Sequence, residues 1–220
     1  MEEFLRSLQP LGNIRPFKKG STLLFQGEIP QRALVILDGF VKAYSINSNG
    51  EESVVSFFCK GDVIPLPWLF GTSSSTLFYY DAATDVRVLA VSKSDFHAQL
   101  QSDQKYLTGM IEFQNQQYTS LLLRITGLEQ SRAIEKVAFT LYYLMFRYGI
   151  EKTPGAFFID MKLSQSAVAN LVGITRESTT RNLVLLKKKG IITYQNSKYT
   201  IHKTKLENFI GEDGFRELSL

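Results

Sequence analysis

Arg176, Glu177, Thr180 and Arg181 stand at positions i, i+1, i+4 and i+5 of a stretch with helical spacing. That spacing gathers two guanidinium groups, a carboxylate and a hydroxyl on one side of a helix. Such groups suit the edges of flat hydrogen-bonding rings. An arginine can grip O6 and N7 of a guanine in bidentate fashion, and a glutamate can accept from N4 of a cytosine. Gln165, Ser166 and Thr175 lie at or beside two helix starts, where polar side chains and unpaired backbone amides suit phosphate oxygens. Lys187, Lys188 and Lys189 follow, with Lys188 a candidate for phosphate contact. Cations at a helix C-terminus are also favoured by the helix dipole alone, so both readings of the lysines stand.

The elements that must position these groups are legible in LSQSAVANLVGITRESTTRNLVLLKKKGII, residues 163–192. Ser164 is placed to cap a first helix, with Val168, Leu171 and Val172 facing inward and the small Ala169 allowing a second helix to cross closely. Gly173 is placed for a tight turn and Ile174 for plugging the crossing. Thr175 caps a second helix whose inward side is Leu183 and Leu186 and which ends at Gly190. Two helices joined by a short glycine-containing turn make a helix-turn-helix, whose second helix enters the major groove by its amino end. Ile191–Gln195, Asn196-Ser197 and Lys198–His202 read as a hairpin, a wing.

Charge agrees with that placement. The 220 residues carry a net charge of +4, but residues 1–103 hold nine Lys and Arg against eleven Asp and Glu, and residues 104–220 hold sixteen against ten. Within 150–205 there are ten basic residues and only Glu151, Asp160 and Glu177 as acids. Such asymmetry points to a polyanionic partner for the carboxy-terminal part, and the helix-turn-helix makes double-stranded DNA the one expected. A hydrophobic share of 44% is that of a globular chain. Its longest apolar run, Phe139–Phe146, is far short of a membrane span, and MEEFLRSLQPL is too acidic for a secretory signal, so a cytoplasmic protein without membrane contact is expected. One cysteine, Cys59, and two histidines, His97 and His202, leave no basis for a disulfide framework or a metal centre, and no cofactor is expected. No nucleophilic triad or paired-carboxylate arrangement can be assembled, so the chain does not read as an enzyme.

Residues 14–92 are strand-like, with short runs at Thr22–Gln26, Ala33–Leu37, Val41–Ile46, Ser53–Phe58, Leu77–Asp81 and Val86–Val91. Turn pairs such as Asp38-Gly39, Asn49-Gly50 and Gly61-Asp62 separate them, the pattern of an antiparallel sandwich or roll. Ser94 is placed to cap a short helix. A longer helix runs from about Gln104 to Leu128, in which Leu107, Ile111, Gln114, Tyr118, Leu121, Ile125 and Leu128 are spaced 4, 3, 4, 3, 4, 3. That heptad series predicts a seam with a second copy, a homodimer. Gly127 with Glu129–Ser131 reads as a hinge, Ser131–Tyr148 as a helix closed by Gly149, Gly149–Gly155 as a loop and Phe157–Met161 as a strand. Phe209–Leu220 is weakly patterned. The fold class expected is α+β: a β-roll over residues 1–103, a long dimerisation helix and hinge over 104–130, and a winged helix-turn-helix over 131–220.

The 163–192 stretch resembles the DNA-binding segment of the cyclic-AMP receptor/fumarate–nitrate regulator (CRP/FNR) family of bacterial transcription factors. Lys19-Gly20, Phe25-Gln26-Gly27-Glu28, Val35–Val41, Gly50-Glu51, Gly61-Asp62 and Ala82–Asp85 are similar to that family's cyclic-nucleotide-binding-type jelly roll. The resemblance spans about residues 14–203. It implies a homodimer on a palindromic site, with Arg176, Glu177 and Arg181 at base-reading positions, Thr180 beside them, and RNA polymerase as a partner at the Gly149–Gly155 loop.

It also carries an exception. Members that bind cyclic nucleotides hold a Gly-Glu pair and an Arg-Ser pair where this chain has Pro65-Leu66 and Thr76-Leu77, and no Lys or Arg lies between. A buried phosphate without a cation is poorly compensated, so control by cyclic AMP is not expected. Aromatic and apolar residues dominate instead, among them Leu66, Trp68, Leu77 and Tyr79, with Gln117 and Tyr118 across from them by the family's geometry. They form either a pocket for an apolar or aromatic effector or simply core, with the regulator acting without effector. The alternative function is a small-molecule-binding roll without DNA-binding activity.

Overall fold

Two apolar runs, 33–36 and 88–91, are longer than a strand with one wet face requires, and both turn out to be covered on both faces. The computed structural model describes residues 1–50 and 52–211, which form two compact units, Met1–Asn115 and Gln116 onward. Glu51, part of the Gly50-Glu51 match, and residues 212–220 of the weakly patterned tail lie outside the described residues.

The first unit opens with α1 (Glu2–Ser7), then β1 (Gly12–Phe17), β2 (Thr22–Leu24), β3 (Ala33–Asp38), β4 (Val41–Ile46), β5 (Glu52–Phe58) and β6 (Val63–Ile64). After α2 (Leu66–Leu69) come β7 (Tyr79–Ala82), β8 (Val86–Val91), α3 (Lys93–Gln101) and the first half of α4 (Gln104–Glu129). The strands form two antiparallel sheets, ordered β1-β8-β3-β6 and β2-β7-β4-β5. Strand alternation then sorts the side chains. Leu34, Ile36, Val86, Val88 and Ala90 face the roll interior, where they meet Val41, Ala43, Tyr80 and Ala82 of the other sheet. Ala33, Val35, Leu89 and Val91 point the opposite way, into a second core with Phe4, Trp68, Phe96, Leu100 and Met110. That double burial is why these strands read as apolar runs rather than alternating ones.

The second unit holds the rest of α4, then α5 (Ala133–Tyr148), β9 (Gly149–Thr153), β10 (Ala156–Ile159), α6 (Gln165–Val172), α7 (Arg176–Lys188), β11 (Ile192–Gln195), β12 (Lys198–His202) and α8 (Lys203–Ile210). Its sheet is ordered β11-β12-β10-β9.

Four local expectations are corrected. The cap of α3 is Ser92, whose hydroxyl accepts the Asp95 amide at 3.0 Å; Ser94 lies inside the helix, where its backbone cannot adopt the extended capping conformation. Gly149–Gly155 is not a plain loop: Gly149 and Ile150 pair with Ile159 and Phe158, so β9 is an edge strand whose polar residues conceal it in the pattern. Gly149 does cap α5, donating its amide to the Met145 carbonyl, but with an extended backbone rather than a left-handed one. Gly127 is not part of the hinge. It sits inside α4, where a Cβ would come within 2.9 Å of the Phe139 Cβ, so its role is close packing on α5. The chain breaks instead after Glu129, where Lys136 Nζ donates to the Leu128 carbonyl at 2.6 Å.

Candidate nucleic-acid interface

Both helices of the helix-turn-helix start on a hydroxyl cap. Ser164 Oγ accepts the Ala167 amide at 3.1 Å, and Thr175 Oγ1 accepts the Ser178 amide at 3.2 Å. A cap of this kind contributes about 1 kcal/mol and leaves other first-turn amides free for an outside acceptor. Between the helices Gly173 takes φ +73, the left-handed region where a Cβ is disfavoured, and its amide closes on the Ala169 carbonyl at 2.8 Å. Val168, Ala169, Leu171, Val172, Thr179, Leu183 and Leu186 are buried, so the inward faces of both helices are spent on fixing the elbow. The wing turns through Asn196 and Ser197, both with positive φ, as a two-residue hairpin requires.

What is left outward is the predicted set. Arg176, Glu177 and Arg181 are exposed on the first turns of α7, and their side chains form no ion pair among the described residues. Thr180 lies between them but is half-buried, and its hydroxyl donates to Gln165 Oε1 at 2.8 Å. Ser166 and Thr175 are exposed at the two helix starts. The three lysines separate. Lys187 lies over the Tyr194 ring at 4.7 Å and Lys189 over the Phe209 ring at 5.7 Å, while Lys188 is exposed with neither ring beneath it. Exposed Val184, three residues beyond Arg181, continues the outward stripe and is suited to apolar contact with a thymine methyl. Pattern alone does not single it out, because a valine within Leu183–Leu186 reads as core.

The roll residues named as a pocket are not brought together. Leu66 lines an apolar groove of about 560 Å³ with Phe70, Leu107, Met110, Ile111 and Gln114. Trp68 is buried in the core beneath the helices. Tyr79 faces away from the roll interior and stacks on Tyr44 at 5.2 Å, because neighbouring strand residues point to opposite faces and Tyr80 takes the inside. Leu77 is 46% exposed. Gln117 and Tyr118 belong to the second unit, half-buried and exposed respectively.

Thr76 is 2% exposed and its hydroxyl donates to the Phe25 carbonyl. Lys93, the lysine that follows this segment, reaches back to α2 and is engaged by the Trp68 carbonyl at 2.7 Å. Among the described residues no group of His, Cys, Asp and Glu side chains could hold a metal ion, and no helix is long and apolar enough to cross a membrane.

Residues 14–103 match the profile of the cyclic nucleotide-binding domain, and residues 135–207 that of the Crp-like helix-turn-helix domain. The chain belongs to the CRP/FNR family of bacterial DNA-binding transcription regulators. It is 26% identical over 191 residues to the global nitrogen regulator of Nostoc sp. PCC 7120, covering 86% of this chain and 85% of that protein. The anaerobic regulatory protein of Bacillus subtilis is 24% identical over 202 residues, covering 89% and 82%. In fold it is similar to FixK2 from Bradyrhizobium japonicum, with a TM-score of 0.72 at 20% identity over 90% of this chain and 96% of that one.

Proposed function

We propose that the protein acts in the cytoplasm as a homodimer that binds a palindromic DNA site, with Arg176, Glu177 and Arg181 reading bases and Gln165, Ser166, Thr175 and Lys188 engaging phosphates. The observation that carries this reading is the exposed, unpaired Arg-Glu-Arg set on the amino end of a helix whose other face is buried. Arginine and glutamate side chains held on a capped helix need little further ordering to meet base edges.

The dimer is supported by the long helix. Leu107, Ile111, Tyr118, Leu121, Ile125 and Leu128 are 37–62% exposed, and only Gln114 of the heptad series is half-buried. Met110, beside that stripe, is buried, as are Ser120 and Leu123 away from it. An apolar stripe of that length left to water is what a second copy covers in a coiled-coil pair.

Cyclic AMP is not the controlling ligand in this reading, because Thr76 replaces a cation with a hydroxyl already committed to the Phe25 carbonyl. The regulator either acts without effector or answers to an apolar or aromatic molecule, for which the groove beside Leu66 and Phe70, bordered by the seam residues Leu107, Ile111 and Gln114, is the candidate site. The Gly149–Gly155 segment, β9 and the turn after it, is the proposed contact for RNA polymerase. No catalytic role is assigned to any residue. Selection from a pool of randomised duplexes tests the core of the proposal: a palindromic consensus is expected, and uniform recovery of all sequences would contradict it.

A further inference from the structure

We infer that Thr180 is a positioning residue: it holds the Gln165 amide with Nε2 turned toward the DNA backbone and reads no base itself. This rests on the reading above, in which α6 and α7 meet DNA. Thr180 is half-buried between three exposed neighbours, and its Oγ1 lies 2.8 Å from Gln165 Oε1 and 2.8 Å from the Arg176 carbonyl oxygen. One hydroxyl carries one proton, so these two acceptors share it.

When the proton serves Gln165, the amide oxygen is satisfied on the protein side and both Nε2 hydrogens face outward. The reversed amide would present oxygen lone pairs to a phosphate and be repelled. A phosphate at Nε2 therefore favours donation to Gln165, and the arrangement tightens on binding. Gln165 is the first residue of α6, and the Ser164 hydroxyl is occupied by the Ala167 amide. The first-turn amides not used by that cap converge on the same anion. Thr180 thus links the recognition helix to the phosphate clamp of the helix before it, fixing depth and register rather than sequence.

The test compares T180A, T180S, Q165A and the T180A/Q165A double variant with the unsubstituted protein. Fluorescence anisotropy is read on a labelled duplex recovered by selection and on a scrambled one, over a salt series, with melting temperatures alongside. T180A and Q165A are each expected to weaken binding about three- to tenfold on both duplexes, the range for one lost hydrogen bond. The double variant should lose no more than either single one, and T180S should bind like the unsubstituted protein. The salt slope should stay unchanged, because a neutral amide releases no counterion. Melting temperatures should hold. Additive losses, or a changed base preference in T180A, overturn the proposal while leaving α7 as the reading helix. Failure of the unsubstituted protein to distinguish the two duplexes overturns both.

Discussion

The Thr76 amide donates to the Glu28 carbonyl oxygen at 2.9 Å, and the Thr76 carbonyl accepts the Gly27 amide at the same distance. Backbone and hydroxyl of one residue therefore tie the segment before β7 to the loop after β2. Those bonds leave the buried Thr76 hydroxyl paired within the protein, with no proton left over for a ligand.

Cyclic AMP should therefore leave the melting temperature where it is. A ligand present at a hundred times its Kd adds about 2.7 kcal/mol of stability, enough to move a thermal transition by several degrees. Scanning calorimetry with millimolar cyclic AMP is expected to show no shift. A saturable rise would contradict that pairing.

Replacing Arg181 with alanine should cost about 1–3 kcal/mol of binding and relax the preference at one base pair in each half-site. Competition with single-base variants of the selected duplex measures both. An unaltered preference would take Arg181 out of the reading set.

Leu121 is 44% exposed within the heptad series. Lysine there places a charge inside the proposed seam, so L121K should sediment as a monomer at concentrations where the unsubstituted protein is a dimer. Both proteins should give the same helical content. A variant that dimerises at full strength would place the interface elsewhere.

Burial pushes the Tyr80 and Tyr199 hydroxyls up to about 12, and burial with the neighbouring Asp81 does the same for Tyr44. A free tyrosine titrates near 10, so above that pH the unfolded chain sheds protons that the folded one keeps. The contribution is complete below pH 10 and is lost as pH rises toward 12. Melting temperature should fall between pH 10 and 12, and less steeply in Y80F. A flat profile over that interval in the unsubstituted protein would show these hydroxyls to be solvated.

Much of the site was legible from residue type and spacing. Ser164, Gly173 and Thr175 do what their chemistry dictates, because caps and left-handed turns are decided within four residues. The heptad series marked an exposed stripe for the same local reason. What pattern could not convey is which face of a strand a ring occupies: Tyr79 and Tyr80 are neighbours in sequence and lie on opposite sides of their sheet. Nor could it supply the reason that sets Lys188 apart from Lys187 and Lys189, since the rings beneath the latter two come from residues beyond α7. β9 was hidden because an edge strand needs no alternation when its faces carry Glu151 and Lys152.

The most direct measurement is anisotropy of the purified, ligand-free protein on a selected duplex and a scrambled one, across a salt series, with and without cyclic AMP. Tight binding to the selected duplex, weakened by salt and indifferent to cyclic AMP, is the predicted result. Weak, unselective binding that cyclic AMP converts into tight, selective binding would contradict the account at its centre.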